Sequence, residues 1–153
     1  MLPEDKLDAF IEEYKKQYQL LFDEGVYSEN LTSLINPRQC DRIVGLLNEE
    51  QQAGTRTVAC HDDAMDLDCQ RLVTHLIVEP NLSSKVMNEE IFGPLLPLIT
   101  YRNIEEAFQV INSKPRPLAL YLMSFDLSLQ AQVKHQVHSL SLIHISEPTR
   151  RKR

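Results

Sequence analysis

Glycine is scarce in this chain of 153 residues, with only Gly25, Gly45, Gly54 and Gly93 present. No two are spaced for GxGxxG, and none begins GxxxxGK followed by Ser or Thr. Both glycine-rich phosphate fingerprints are therefore absent from the sequence. There is no run of about 18 apolar residues, so no membrane-spanning helix is expected. The opening Met1-Leu-Pro-Glu-Asp-Lys6 lacks a basic region followed by an apolar one, so no signal peptide is expected. Three cysteines, Cys40, Cys60 and Cys69, are an odd number at spacings unlike a zinc site or CxxC. They fit free thiols in a reducing cytoplasm. Positive charge is also short: 16 Lys and Arg face 22 Asp and Glu, a net −6. An acidic body repels phosphate, so nucleic acid is not an expected partner.

The charge that is present is uneven. Residues 1–139 carry a balance of −9, and residues 140–153 carry +3. The 42% hydrophobic and 25% charged content is that of a globular chain with one ordinary core.

Periodicity organises the body. Leu7, Phe10, Ile11, Tyr14, Tyr18 and Leu21 recur at three- and four-residue steps, which predicts a helix over 4–21. Residues 23–36 read as a loop. Asn36 is an N-cap candidate with Pro37 at the first helical position, and Gly54 ends that second helix. Short strands are predicted at 57–60, 71–79, 95–101 and 118–124, with helices over 104–112 and 127–137. Residues 61–70 are acidic and read as a solvated loop. Strands alternating with helices predict an α/β layer with a mostly parallel sheet and flanking helices. The unit over 95–124 is expected to cross over right-handed.

The stretch that carries chemistry is Met87-Asn-Glu-Glu-Ile-Phe-Gly-Pro94. It sets two carboxylates beside an aromatic ring, ahead of a Gly-Pro turn that enters a strand. Loops at strand ends commonly hold ligands in open α/β sheets. A carboxylate there can accept two hydrogen bonds from a sugar diol, and a flat ring can support another ring. The plain alternative is a solvated Glu pair beside a packed Phe. Other constellations carry less. His135 and His138 share a helical face without a third ligand nearby, so no metal site is expected. His61-Asp-Asp-Ala-Met-Asp-Leu-Asp68 lacks the Gly and terminal Glu of a calcium loop. His75 reads as a packed side chain in an apolar strand, and Tyr14, Tyr18 and Phe22 read as core.

Glu89-Glu-Ile-Phe-Gly-Pro94 closely resembles a signature of the aldehyde dehydrogenase superfamily. Asn112-Ser-Lys-Pro-Arg-Pro-Leu-Ala-Leu-Tyr-Leu-Met-Ser-Phe-Asp126 resembles its class 3 and coniferyl-aldehyde branch, and Leu2-Pro-Glu-Asp-Lys-Leu-Asp-Ala-Phe10 is similar to a helix of that family. The resemblance covers residues 2–139 nearly continuously. It implies an incomplete piece of a catalytic domain, from a cytoplasmic, homo-oligomeric enzyme that oxidises an aldehyde to an acid with NAD or NADP. In that family a Cys thiolate attacks the aldehyde, hydride passes to nicotinamide, and an activated water hydrolyses the thioester. Matched residue by residue, Glu90 is implied to hold the nicotinamide-ribose hydroxyls and Phe92 to pack beside the nicotinamide end. Gly93 and Pro94 shape the turn, and Glu89 supports it.

No catalytic residue is expected in this chain, because the family's nucleophilic Cys and general-base Glu lie upstream of Met1. Cys40 falls on a predicted helix, Cys60 at a strand end, and Cys69 in an acidic stretch that disfavours a thiolate. The chain alone is accordingly expected to be inactive. The alternative is a non-catalytic α/β binding or interaction domain derived from the same fold. The end departs from the family. Leu140-Ser-Leu-Ile-His-Ile-Ser-Glu-Pro-Thr-Arg150 resembles, codon by codon, the translation of a transposase-type sequencing-library adapter. Residues 140–153 are therefore read as an artefactual tail and set aside.

Overall fold

A computed structural model describes residues 1–137, 139 and 141–144. His138, and the part of the adapter-like segment at 140 and 145–153, lie outside the described residues. In chain order the elements are β1 (Leu2–Pro3), α1 (Leu7–Leu21), α2 (Pro37–Gln52), β2 (Arg56–Ala59), β3 (Met65–Asp66), β4 (Arg71–Leu72), β5 (His75–Val78), β6 (Leu95–Leu98), β7 (Thr100–Tyr101), α3 (Ile104–Asn112), β8 (Ala119–Leu122), α4 (Leu127–Gln136) and β9 (Ser141–His144). They fall into two compact units, Met1–Thr100 and Tyr101–Arg153.

The first unit is built around β5. Its four residues His75-Leu-Ile-Val78 are all buried. On one side β5 pairs antiparallel with β2, matching Thr57 to Ile77 and Val58 to Leu76. On the other it pairs parallel with β6, matching His75 to Leu95 and Val78 to Leu98. Side chains alternate between the faces of a strand, so each face can take its own helix. Leu76 and Val78 pack with Ile11, Tyr18, Val26 and Cys60, on the face that α1 covers. Ile77 packs with Ile43, Leu46 and Leu47 of α2 and with Leu95. One sheet between two helices is an α/β arrangement, and its pairing is mixed.

Local signals set the two helices. α1 is entered through a 3-10 turn, Glu4–Lys6, whose acids sit at the positive end of the helix dipole. Tyr18 and Phe22 stack at a ring distance of 4.6 Å, which closes its C-terminal end onto the core. α2 begins at Asn36, whose side chain accepts the Gln39 N–H at 2.9 Å, with Pro37 at the first helical position. It ends in a Schellman motif: Gly54 N–H donates to Gln51 O and Thr55 N–H to Glu50 O, with Gly54 at φ +79°. The buried Glu50 carboxylate accepts the Thr55 hydroxyl at 2.8 Å.

Three expected elements differ in detail. The strand expected over 71–79 is two strands, because β4 folds back on β3 as a hairpin while β5 enters the central sheet. Between them Val73 N–H donates to Ala64 O, and Thr74 O accepts the Cys60 N–H. The acidic loop 61–70 therefore contributes β3. The strand expected over 95–101 divides at Ile99 into β6 and β7.

In the second unit, α3 and α4 pack on β8 through Phe108, Val133 and Val137, with Ile104, Ile111, Leu120, Leu122 and Leu129 around them. Asn103 caps α3 by accepting the Glu106 N–H at 3.0 Å, and Asp126 caps α4 through the Ser128 and Leu129 N–H groups. Within this unit β8 pairs parallel with β9, matching Ala119 to Ser141 and Leu122 to His144. Alternate side chains at the end of this unit are exposed: Tyr121, Met123 and Phe125, followed by Leu127. Among the described residues, no helix is long and apolar enough to cross a membrane.

Candidate functional site

The signature lies in the connection between β5 and β6. Parallel neighbours cannot be joined by a tight hairpin, so the chain must run a longer path between them. A 3-10 turn, Lys85–Met87, is anchored by the buried Val86. The Asn88 amide donates to Leu82 O at 3.0 Å and Ser84 O at 2.7 Å, and Glu89 N–H donates to Lys85 O at 2.9 Å. This turn delivers Glu89, Glu90, Ile91 and Phe92 onto the surface of α2.

Two successive residues of α2 receive them. The Arg42 guanidinium donates to Glu90 O at 3.4 Å and makes a closer hydrogen bond to Ile91 O. It also lies 4.0 Å from the Glu89 carboxylate, and its Nε donates to the Gln39 side chain at 2.9 Å. Ile43 lies under Gly93, where an added Cβ would stand 2.5 Å from Ile43 Cδ1. Glycine is needed here because of this close approach. The turn then locks onto the sheet: His75 N–H donates to Pro94 O at 2.9 Å, and Leu95 begins β6.

Glu90 and Phe92 are both exposed, Phe92 at 79% of its surface. Phe92 also has φ +45°, in the left-handed region that costs a non-glycine residue about 1–3 kcal/mol. A carboxylate and a ring held in the open on an anchored backbone can meet a flat, hydroxylated ligand. Glu90 can accept two O–H donors while the Phe92 face or edge supports a ring. The site lies at the amino-terminal ends of β5 and β6, so the usual preference of ligands for carboxyl edges does not account for it.

The other marked residues lie apart from this turn or point inward. Cys40 is buried in α2, and desolvation, with Asp41 close by, pushes its thiol pKa up. Cys60 is fully buried, and burial pushes its thiol up to about 11. Cys69 is exposed, but its bond to Asp66, with that carboxylate's charge, pushes its pKa up. All three therefore hold their protons more tightly than a free thiol, the opposite of what a nucleophile needs. His61 bridges loops, with Nδ1 accepting the Asp63 N–H at 3.0 Å and Nε2 lying 3.1 Å from Asp23 O. His135 is exposed on α4. Sequence reasoning passed over Arg42. Its signal was a basic residue between Cys40 and Ile43 on the inward face of α2.

His75 is buried beside the turn, and its Nδ1 lies 2.9 Å from Val73 O. Burial lowers its pKa below the ordinary 6.5. The unfolded chain takes a proton near that ordinary value while the native state resists it. Below it the unfolded state binds more protons, so stability falls as pH drops. We expect the urea midpoint to decrease from about pH 7.5 to about pH 5.5. His75→Asn should flatten that part of the profile, and an equally steep loss in the variant would assign it to other groups.

The sequence profile of the aldehyde dehydrogenase family matches residues 1–152. A probable coniferyl aldehyde dehydrogenase of Pseudomonas aeruginosa is 35% identical over 139 residues, covering 91% of this chain and 29% of that protein. A coniferyl aldehyde dehydrogenase of a Pseudomonas species is 36% identical over 136 residues, covering 87% of this chain and 28% of its own length. The substrate-bound structure of Staphylococcus aureus AldH superposes with a TM-score of 0.82 at 27% identity, over 93% of this chain and 30% of that one. The chain thus spans under a third of the length of the relatives it matches. With the signature seated on α2 and the match running almost end to end, the chain belongs to the aldehyde dehydrogenase family.

Proposed function

We propose that residues 1–139 are part of the catalytic domain of an NAD- or NADP-dependent aldehyde dehydrogenase. In it Glu90 accepts the hydroxyls of the nicotinamide ribose, and Phe92 packs beside the nicotinamide end. The observation that carries this is the anchored, solvent-facing presentation of Glu90 and Phe92 from the turn that Arg42 and His75 hold. The bound dinucleotide would supply the hydride acceptor. This chain's residues would orient one end of it. The names of the relatives favour an aromatic aldehyde of the coniferyl type as substrate. None of the three cysteines has the setting of a thiolate nucleophile, which supports the reading that the chain alone does not oxidise aldehydes.

The test combines purified chain, coniferyl aldehyde, and NAD or NADP, following reduced nicotinamide by absorbance. No protein-dependent turnover is expected, and turnover would overturn the reading. For the site itself, nicotinamide mononucleotide should perturb the NMR resonances of Glu90 to Phe92. Glu90→Gln should weaken that binding by about threefold or more, the loss of one or more hydrogen bonds to a charged acceptor. Equal binding by the variant would remove Glu90 from the site. Residues 140–153 are proposed as adapter-derived on the codon-level match alone, since the family profile extends to residue 152. The DNA around codon 140 decides this, and absence of the adapter sequence there refutes it.

A further inference from the structure

We propose that Arg42 is a positioning residue for the cofactor end of this site, setting the direction of the Glu90 side chain from α2. The inference rests on the reading of Glu90 as a ribose ligand. Arg42 contacts three consecutive residues of the signature: the Glu89 carboxylate, the Glu90 carbonyl and the Ile91 carbonyl. Its Nε is held by Gln39, one helical turn earlier, so the guanidinium plane is braced on its own helix. A planar fork of donors can span adjacent carbonyls, whereas an ammonium cannot reach both with fixed geometry. Arg42 is also more than half buried, which strengthens these bonds relative to a solvated pair.

The position of this clamp is what matters. Peptide planes on both sides of Ile91 are pinned by Arg42, and the next residue, Phe92, sits at a left-handed φ. A strained residue persists only where its neighbours over-determine it. Here Arg42 holds the chain before it, and the hydrogen bond from His75 N–H to Pro94 O holds the chain after it. A residue of α2 and a residue of β5 therefore fix the backbone that carries both exposed groups. Releasing the first would let Glu90 and Phe92 swing independently, and only a fraction of molecules would present the productive geometry. Apparent affinity falls by that fraction.

The experiment uses the whole chain, with Arg42→Gln, Arg42→Lys and Glu90→Gln, and reads two quantities. Hydrogen exchange over Glu89–Leu95 reports the turn. NMR titration with nicotinamide mononucleotide reports the site. For Arg42→Gln we expect exchange in the turn to rise about tenfold, the effect of losing a charge-assisted hydrogen bond on a local opening equilibrium. Exchange in β5 should stay as it was, which separates positioning from general destabilisation. Mononucleotide affinity should drop by about threefold or more. Arg42→Lys should fall between, because it keeps the charge beside Glu89 but loses the fork.

Glu90→Gln should weaken the mononucleotide without loosening the turn. Unchanged exchange in Arg42→Gln overturns the proposal. So does mononucleotide binding that Glu90→Gln weakens and Arg42→Gln leaves intact. If the mononucleotide does not bind, or binds Glu90→Gln equally well, the ribose reading falls instead. The exchange data then decide alone whether Arg42 orders the turn.

Discussion

Ile77→Ala is expected to lower the stability of the Met1–Thr100 unit by about 2–5 kcal/mol, the range for truncating a fully buried aliphatic side chain. Ile77 has no solvent exposure and sits in the middle of β5, with Thr57 and Pro97 as its register partners on the two neighbouring strands. Its side chain joins Ile43, Leu46 and Leu47 from α2 to Leu95 of β6. Truncation would leave a cavity between a helix and a sheet that are both already pinned, so collapse can recover little of the loss. In a unit of this size each kcal/mol moves the melting midpoint by about 4–8 °C, so a drop of about 10 °C or more should be visible. Leu20→Ala, on the exposed face of α1, should change stability by no more than about 0.5 kcal/mol. Equal effects at the two positions would contradict the core assignment.

Gly25→Ala should be nearly as damaging, for a different reason. Gly25 has φ +56°, which an L side chain adopts at a cost of about 1–2 kcal/mol. Its added Cβ would stand 2.3 Å from His61 Nδ1 and 2.5 Å from the Asp63 carbonyl oxygen. Neither neighbour is free to yield. Asp63 O accepts the Val26 N–H at 3.0 Å, and His61 bonds through both ring nitrogens. Crowding of this kind adds about 1–3 kcal/mol. Gly54→Ala supplies the control: φ is +79°, but nothing lies within 4 Å of the new Cβ. It should show the conformational cost without the crowding. Chemical denaturation of both variants measures the difference, and equal losses would refute the crowding.

Much of the local structure was legible because its causes are local. The caps at Asn36 and Asn103 are made by side chains within three residues of the backbone they satisfy, and the stop at Gly54 by backbone bonds within five residues. The apolar spacing likewise announced the inward turn of Ile11 and Tyr18 on α1, whereas Phe10 and Leu21 of the same pattern are exposed. The division of the expected strand over 71–79 was not legible. A continuous run of Leu, Val, Thr and Ile looks the same whether its partners are one strand or two. One partner of this run, Ala64, comes from a stretch that reads as solvated acid, and the other, Cys60, from the end of the strand before it. Periodicity also gave no hint that β8 would pair with β9, since register is decided by whichever edge is available.

By itself, the sequence determined the α/β alternation, the inward faces of the helices and the signature Glu89–Pro94, because spacing and side-chain chemistry are written along the chain. Only the tertiary structure decided what holds that signature. Arg42 and Ile43 lie more than forty residues before it, and no local pattern links a guanidinium on one helix to carbonyls of a distant turn. The scarcity of glycine acquires its meaning there too. Gly93 is needed because Ile43 leaves no room for a Cβ, and Gly25 because His61 and Asp63 close over it. Each contact exists only after the sheet brings distant segments together, since steric exclusion and hydrogen bonding act over a few ångströms of space, whatever the separation in sequence.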